Sequence, residues 1–315
     1  LYYNAMERKN KKLKDPDFFI VGLQKSGTYG ISALLDAHPQ IRCLPNHPIH
    51  NYTKGKTGAD EGRIFDMLAS IDKDDGEALK NSFLNHHGGF FANIAGLIGK
   101  ANKEELYEAV KNRYKEWFEF QNSGNKPIVG DKTTEYVFHL DMIDDFFPNA
   151  KKLCIIRNPK DRIVSWNFHQ IRKGRKNGEK IDDEFIKNYL ENQIKKEYES
   201  MLNYKGFIHC FTYEALKNNP KKVLVGILSY LDADLSEEIM DKMIEEASFE
   251  NLKKKEIDYF KKENISQDIK HYRKGVVGEW KNYLSEEQVK MIDAIIDSLQ
   301  KKVFEKYNVI MSDYE

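Results

Sequence analysis

A short apolar run, residues 18–21, ends at Gly22, and this break constrains the fold more than any other feature of the 315-residue chain. An apolar run of this length bounded by glycine is typical of a buried strand. A loop with Lys25 and Thr28 follows, and apolar side chains then recur at helical spacing over residues 28–37. A strand, a short loop and a helix direct backbone N–H groups and a helix N-terminus at an anion. Because Lys25 adds a positive charge, the sequence predicts a phosphate-binding loop.

The spacing within this loop separates it from a Walker A loop, in which the lysine directly follows the last glycine. Here Lys25 precedes Gly27. The loop resembles the 5′-phosphosulfate loop of sulfotransferases, which use 3′-phosphoadenosine 5′-phosphosulfate (PAPS). The resemblance implies that this group is held by Gln24, Lys25, Ser26, Gly27, Thr28 and Tyr29. An ordinary strand-to-helix turn with a surface lysine is the alternative for this segment taken alone.

A second strand, turn and helix occupies residues 152–172. Asn158 and Pro159 end the apolar run and preset a helix start. Arg157 comes at the carboxyl end of the strand, where ligands gather in open α/β sheets, and Ser165 lies two turns into the helix. The segment is similar to the 3′-phosphate motif of sulfotransferases. This similarity implies that Arg157 and Ser165 hold the 3′-phosphate of the nucleotide.

A third segment, residues 271–282, places Arg and Lys beside two glycines, a combination that can surround a phosphate with side chains and backbone. It resembles the late Arg-Lys-Gly segment of the same family, with Glu279 where Asp is usual. The resemblance adds three residues to the 3′-phosphate site: Arg273, Lys274 and Gly275. With three motifs in the family's order, the chain is identified as a member of the PAPS-dependent sulfotransferases, with PAP, adenosine 3′,5′-bisphosphate, as product.

Two positions bear on how the adenine is held. Tyr213 matches the tyrosine of the family's Tyr-Glu-Asp-Leu segment, read here as Tyr-Glu-Ala-Leu, which implies a contact with adenine. Packing in the core is the alternative for Tyr213. Cytosolic members carry Trp two residues after the loop threonine, whereas this chain has Gly30. From this departure we expect the chain to be closer to bacterial and glycan-type members than to cytosolic aryl members.

Sulfuryl transfer is an in-line displacement, so catalysis needs positioning and cations that stabilise charge on the leaving phosphate. By resemblance, Lys25 and Lys132 are those cations, and no metal is expected. The base that accepts the acceptor's proton is open between three residues. His47 is the first choice because histidine has a suitable proton affinity near neutral pH, and His50 and Glu135 follow.

Strands alternate with helices along the chain, which predicts an α/β fold with a central parallel sheet and helices on both faces. The resemblance implies the P-loop-like sulfotransferase fold. We expect a polar N-terminal arm over residues 1–16 and one sulfotransferase domain over 17–315. Four local predictions concern helices. They are one amphipathic helix over residues 183–203, an N-cap at Ser236, a solvated helix and linker over 250–270, and a capping box at Ser285 and Gln288 that begins the last helix.

The composition limits which classes of partner and which compartments are compatible with the chain. Fifty Lys and Arg balance fifty Asp and Glu, which argues against a nucleic-acid binder or a polybasic membrane protein. Mean hydropathy is −0.68, and no apolar run approaches the roughly 20 residues of a membrane span. Three cysteines, an odd number, favour a reducing compartment, so we expect a cytoplasmic protein. Because the chain begins at Leu1 rather than Met, a secretory-pathway enzyme with an N-terminal anchor is the alternative.

Two other functions compete with sulfuryl transfer to a small-molecule, glycan or lipid acceptor. One is a P-loop-type nucleotide kinase, which lacks support because the Walker A spacing is absent. The other is a catalytically inactive nucleotide-binding protein, against which the intact phosphate motifs argue. The sequence gives no prediction of the acceptor's identity or of the oligomeric state.

Overall fold

A five-stranded parallel sheet forms the centre of the chain in this computed structural model. The structure describes residues 13–44, 64–71, 80–81, 84, 92–121, 125–262 and 274–312. The strand order is β2-β3-β1-β4-β5. The strands are β1 (Phe18–Val21), β2 (Ile41–Leu44), β3 (Ile128–Lys132), β4 (Lys151–Ile156) and β5 (His209–Thr212). The expected parallel α/β sheet is confirmed.

Helices occupy most of the remaining described chain and cover both faces of the sheet. They are α1 (Thr28–Asp36), α2 (Ile64–Ile71), α3 (Ala92–Ala95), α4 (Lys103–Gln121), α5 (Leu140–Phe146), α6 (Pro159–Arg172), α7 (Asp183–Tyr189), α8 (Lys195–Asn203), α9 (Tyr213–Asn218), α10 (Pro220–Leu231), α11 (Glu237–Glu246), α12 (Phe249–Lys262) and α13 (Glu286–Tyr307). Short 3₁₀ turns cover Tyr136–His139 and Glu279–Asn282.

All four residues of β1 are buried because both faces of the sheet are covered. Side chains alternate along a strand. Phe19 and Val21 accordingly join a core with α4, α6 and α13, whereas Phe18 and Ile20 join a second core with α1 and α10. A strand buried on both faces reads as a continuous apolar run, as this one does in the sequence.

The topology places a crevice at the carboxyl ends of β1 and β4, which are neighbours in the sheet. The chain leaves β1 through α1 toward β2 at one edge, and it leaves β4 through α6 toward β5 at the other edge. Open α/β sheets bind ligands where the connections diverge in this way. The predicted phosphate loop and Arg157 both lie at this position.

The helix starts follow the predicted capping chemistry in two of three cases. Asn158 accepts a hydrogen bond from Lys160 N–H (3.0 Å) ahead of Pro159 at the start of α6. Ser285 and Gln288 form the capping box of α13. Ser236 begins α11, but its side chain makes no capping bond. Its own N–H instead donates to Asp234 Oδ1 (2.8 Å).

Two helical predictions need correction. The helix expected over 183–203 contains a π-helical turn, Leu190–Ile194, because one extra residue is accommodated between α7 and α8. The helix expected to be solvated within 250–270 is amphipathic, since Leu252 and Phe260 of α12 are buried in the protein. Sequence composition, rich in Lys and Glu, concealed this apolar stripe.

Cys43, Cys154 and Cys210 are buried and form no disulfide. None of the helices in the described segments combines the length and the apolar character that crossing a bilayer requires.

Candidate active site

The loop between β1 and α1 has an unusual backbone. Gly22 and Gly27 adopt φ angles of 118° and 102°, and Lys25 adopts 72° although it carries a side chain. Residues other than glycine are strained in this region, and such strain persists only where surrounding contacts impose it. A loop whose φ angles alternate between positive and negative values forms a concave set of backbone N–H groups suited to an anion.

The first turn of α1 is available to a ligand. Gly27 occupies the N-cap position, and no side chain caps the helix. The first backbone N–H groups of a helix have no partner within the helix. The nine-residue α1 therefore presents donors and the positive end of its dipole directly after the loop.

A hydrogen bond joins the loop to a buried ion pair. Leu23 N–H donates to Glu197 Oε1 (2.9 Å), and the Glu197 carboxylate also pairs with Arg162. Glu197 and Arg162 are almost completely buried. Although burial alone lowers the pKa of Arg162, the Glu197 charge raises it above its ordinary value, so the guanidinium stays charged. The loop is thus anchored to α6 and α8 through one buried carboxylate.

Arg157 connects three separate segments at the end of β4. Its Nη1 donates to the carbonyl of Lys25 (3.3 Å), and its Nη2 donates to the carbonyl of Val276 (3.2 Å). Its guanidinium lies 4.6 Å from the ring centre of Tyr213, a cation–π distance. The two phosphate motifs and the tyrosine therefore meet at one side chain.

Tyr213 lies at the start of α9 and packs against both glycine-containing loops. Its hydroxyl donates to the carbonyl of Gly275 (3.1 Å). A Cβ at Gly27 would lie 2.7 Å from Tyr213 Cδ2, so only glycine permits this approach. Burial raises the pKa of Tyr213, which keeps the hydroxyl protonated as a donor.

The loop of residues 274–282 is fixed to the start of α6. Asp161 accepts hydrogen bonds from the N–H groups of Gly278 (2.7 Å) and Trp280 (3.0 Å). Glu279 is buried and pairs with Lys274 Nζ at 3.0 Å. The glutamate that replaces the usual Asp therefore orients the lysine expected at the phosphate.

Lys132 ends β3 and is fully buried. Its Nζ lies 3.8 Å from the ring centre of Tyr29, a close cation–π contact. The preceding residue, Asp131, accepts hydrogen bonds from the hydroxyls of Thr133 (3.0 Å) and Tyr114. The second predicted cation thus lies against the ring of Tyr29, which belongs to the predicted phosphate-binding loop.

Glu135 also has a left-handed backbone, with φ of 81°. Its N–H donates to the carbonyl of Gly22 (3.3 Å), which joins the end of β3 to the phosphate loop. Of the three base candidates, only Glu135 lies among the described residues. His47 and His50 lie outside them, as does Arg273 of the expected 3′-phosphate group.

A cavity of about 1030 Å³ opens between these segments. Ten of the residues expected to hold the nucleotide line it, together with the base candidate Glu135. They are Gln24, Lys25, Gly27, Thr28, Tyr29, Arg157, Ser165, Tyr213, Lys274 and Gly275. Ser26 and Lys132 are buried and lie outside this lining. The volume is at the upper end of the roughly 300–1,000 Å³ of ligand pockets.

Sequence reasoning missed two groups in the cavity wall. The start of α12 supplies Ser248, Phe249 and Leu252. Phe249 is so close to Gly275 that a Cβ added to Gly275 would lie 2.5 Å from Phe249 Cδ2.

The end of α6 and the loop after it supply His169, Arg172, Lys173 and Arg175. Helical spacing from Ser165 was a usable signal for His169 and Arg172, which follow at four and seven residues. The lone aromatic at the start of a Lys-rich helix was the signal for Phe249.

Comparisons with known proteins identify the class. The family model for the sulfotransferase domain matches residues 15–307, so the chain belongs to this family. It is 39% identical to sulfotransferase 1B1 of Mus musculus over 87 residues, 26% of this chain and 29% of that protein. It is 28% identical to sulfotransferase 1B1 of Canis lupus familiaris over 160 residues, 47% of this chain and 53% of that protein. The chain therefore matches only about half, or less, of the length of these two relatives.

A solved structure shares the fold. Mouse sulfotransferase SULT7A1, complexed with PAP, superposes with a TM-score of 0.55 at 17% identity, covering 92% of this chain and 85% of that one. The P-loop-like sulfotransferase fold implied by the sequence is confirmed. Within the described segments, no group of three or more His, Cys, Asp or Glu side chains is arranged to hold a metal ion.

Proposed function

We propose that the protein transfers a sulfuryl group from PAPS to a hydroxyl or amine of an acceptor and releases PAP. The observation that carries this proposal is the meeting of the three phosphate-motif segments around Arg157, at the mouth of one cavity. The similar mouse enzyme was solved with PAP, which supports the same nucleotide here.

A buried polar atom in the cavity wall supports the fit of a phosphate group. Arg157 lines the cavity, and its Nε is shielded from solvent and has no hydrogen-bond partner among the described residues. Buried donors are nearly always satisfied, because leaving one unpaired is costly. A phosphate oxygen would satisfy this guanidinium.

We assign each residue a role from its place in the cavity wall. The α1 N-terminus and the loop of residues 24–29 hold the 5′-phosphosulfate. Arg157, Ser165 and Lys274 hold the 3′-phosphate, with Arg273 and Gly275 as the remaining members of that group. Tyr213 lies beside the nucleotide, and Phe249, which contacts Gly275 from α12, completes the wall at this end.

PAPS supplies an activated sulfuryl group whose departure leaves negative charge on the 5′-phosphate. Lys25 stabilises that charge, because it lines the cavity two residues before Gly27, on a strained loop backbone. Lys132, held by Tyr29, supplies the second positive charge near the loop. Both act as fixed charges, which need no rearrangement during the reaction.

The proton of the acceptor goes to His47, with His50 and Glu135 as alternatives. Glu135 lines the cavity and is joined to Gly22 through its own N–H. A residue in this position is close to the phosphosulfate loop, as a base for an in-line attack must be. The acceptor is proposed as a small molecule, a glycan or a lipid, and a cytoplasmic location stays a prediction.

Incubation of the protein with PAPS labelled in the sulfuryl group tests the proposal. A panel of phenols, alcohols, sugars, glycolipids and amines should include acceptors that gain the label. In parallel, binding of PAP should be tighter than binding of ATP with magnesium. Tight ATP binding with phosphate transfer would favour a nucleotide kinase. PAP binding without any labelled product would indicate an inactive nucleotide-binding protein.

A further inference from the structure

The carboxyl end of α6 places four basic side chains in the cavity wall, which we call the α6 basic edge: His169, Arg172, Lys173 and Arg175. Arg172 Nη2 lies 2.8 Å from His169 Nδ1. Trp166 stacks on His169 with ring centres 5.2 Å apart and on Tyr189 with ring centres 5.5 Å apart. Packed aromatic rings therefore support the edge and orient its histidine.

The register of α6 separates this edge from the proposed 3′-phosphate contacts. Ser165, His169 and Arg172 follow at spacings of four and three residues, so they share one face of the helix. With a rise of about 1.5 Å per residue, Arg172 is displaced by about 10 Å along the helix axis from Ser165. The edge thus extends the same wall beyond the position proposed for the nucleotide's phosphate.

The cavity wall has more positively charged side chains than the proposed nucleotide contacts require. Among the described residues that line it, seven are Lys or Arg and three are Glu. Lys25, Arg157 and Lys274 are assigned to the nucleotide, and Glu279 already pairs with Lys274. Across the described part of the chain, no carboxylate lies within ion-pair distance of Lys173 or Arg175. Positive charge therefore remains for another ligand.

Basic residues near a helix C-terminus also interact favourably with the helix dipole. That effect accounts for a basic side chain anywhere around the last turn of α6. It does not require His169 and Arg172 to share the cavity face with Ser165, and it does not reach Arg175, which follows the end of the helix. The shared cavity face points instead to a bound group.

We propose that the α6 basic edge binds an oxyanion of the acceptor, a carboxylate or a phosphate or sulfate ester, so that the enzyme sulfates an anionic substrate. The proposal rests on the proposed function, since it places the acceptor in the cavity beside the nucleotide. A guanidinium matches the geometry of such oxyanions and binds them more strongly than neutral groups. Lys173 and Arg175, which are exposed, add a longer-range attraction that salt weakens.

Calorimetry on the PAP-saturated protein tests this with four matched phenols. 4-Hydroxyphenylacetate and 4-hydroxyphenyl phosphate are anions, 4-hydroxyphenylacetamide is neutral, and tyramine is a cation. We expect both anions to bind at least about fivefold tighter than the amide, and tyramine to bind most weakly. Higher ionic strength should narrow these differences. Affinities that differ between carboxylate and phosphate distinguish the two oxyanions.

A pair of charge-matched variants locates the effect. Lys173→Gln/Arg175→Gln removes two exposed charges of the edge, and Lys301→Gln/Lys302→Gln removes two exposed charges from α13, outside the cavity lining. The edge variant should reduce the preference for the anions over the amide by at least about twofold, because Arg172 remains, whereas the α13 variant should retain the full preference. Both should bind PAP as the parent protein does.

Three results would overturn the proposal. They are equal binding of anions and amide by the parent protein (including no detectable binding of any phenol), an unchanged preference in the edge variant, or loss of PAP affinity in the edge variant. Absence of PAP binding by the parent protein would instead contradict the nucleotide assignment, so the two failures are distinguishable.

Discussion

The guanidinium of Arg157 donates to the backbone carbonyl of Lys25 at 3.3 Å. One residue follows β4 and the other follows β1, two strands adjacent in the sheet but far apart in sequence. The bond couples the expected 3′-phosphate residue to the backbone of the expected 5′-phosphosulfate loop. A nucleotide that spans both positions would therefore bind to two segments that a hydrogen bond already joins.

Removing the Lys25 side chain should affect catalysis far more than folding. Lys25→Ala should reduce turnover of PAPS by about 10²–10³, the usual loss of one electrostatic stabiliser. Lys25→Gly is the matched control, because glycine relieves the left-handed φ of 72° while removing the same charge. Both variants should lose turnover, and Lys25→Gly should melt at a temperature equal to or above that of Lys25→Ala. Near-normal turnover in either would exclude a role in leaving-group departure.

A methyl group at Gly27 should disrupt the site. Gly27→Ala places a Cβ 2.7 Å from Tyr213 Cδ2 at a φ of 102°. We expect a loss of about 1–3 kcal/mol in the free energy of unfolding from overpacking, together with weaker PAP binding. Gly30→Ala is the control, since a Cβ there meets nothing within 4 Å. Urea denaturation and PAP titration of both variants check this, and equal behaviour of the two would show that the Gly27–Tyr213 approach is not required.

The buried carboxylate beneath the loop should contribute strongly to stability. Glu197→Gln leaves the buried Arg162 without its counter-charge, which typically costs about 3–5 kcal/mol. Glu191→Gln removes the acidic partner of Lys195 from an exposed ion pair and should change stability far less, because water screens exposed charges. Chemical denaturation of both variants measures the difference. A loss in Glu197→Gln no larger than in Glu191→Gln would contradict the anchoring role.

The base is identified by the pH dependence of turnover with an acceptor found by screening. If His47 is the base, the rate should fall below a pH near the ~6.5 of an ordinary histidine, and His47→Ala should remove that limb and lower turnover by about 10²–10⁴. PAP affinity should not change, because the base faces the acceptor. Retention of rate and limb in His47→Ala, with their loss in His50→Ala or Glu135→Gln, would transfer the role to that residue.

The sequence predicted the fold because the strands at the centre of a parallel sheet read as apolar runs, and β1 and β4 are such runs. It indicated Arg157 and Ser165 as nucleotide-binding candidates, and both line the cavity, because a motif at a strand end keeps its spacing on the following helix. It did not predict Phe249 or the α6 basic edge, since these residues reach the cavity through tertiary packing. Their own segments read as polar, and only the assembled wall shows which side chains face inward.

We propose a site that binds two phosphate groups, and calorimetry with PAP and 5′-AMP tests this proposal most directly. The two nucleotides differ only in the 3′-phosphate, which we assign to Arg157, Ser165, Arg273 and Lys274. Charge-assisted contacts are each worth roughly 1.5–3 kcal/mol, so PAP should bind at least about tenfold tighter than 5′-AMP, and Arg157→Gln should reduce that ratio. Equal affinity of the parent protein for PAP and 5′-AMP would contradict the account.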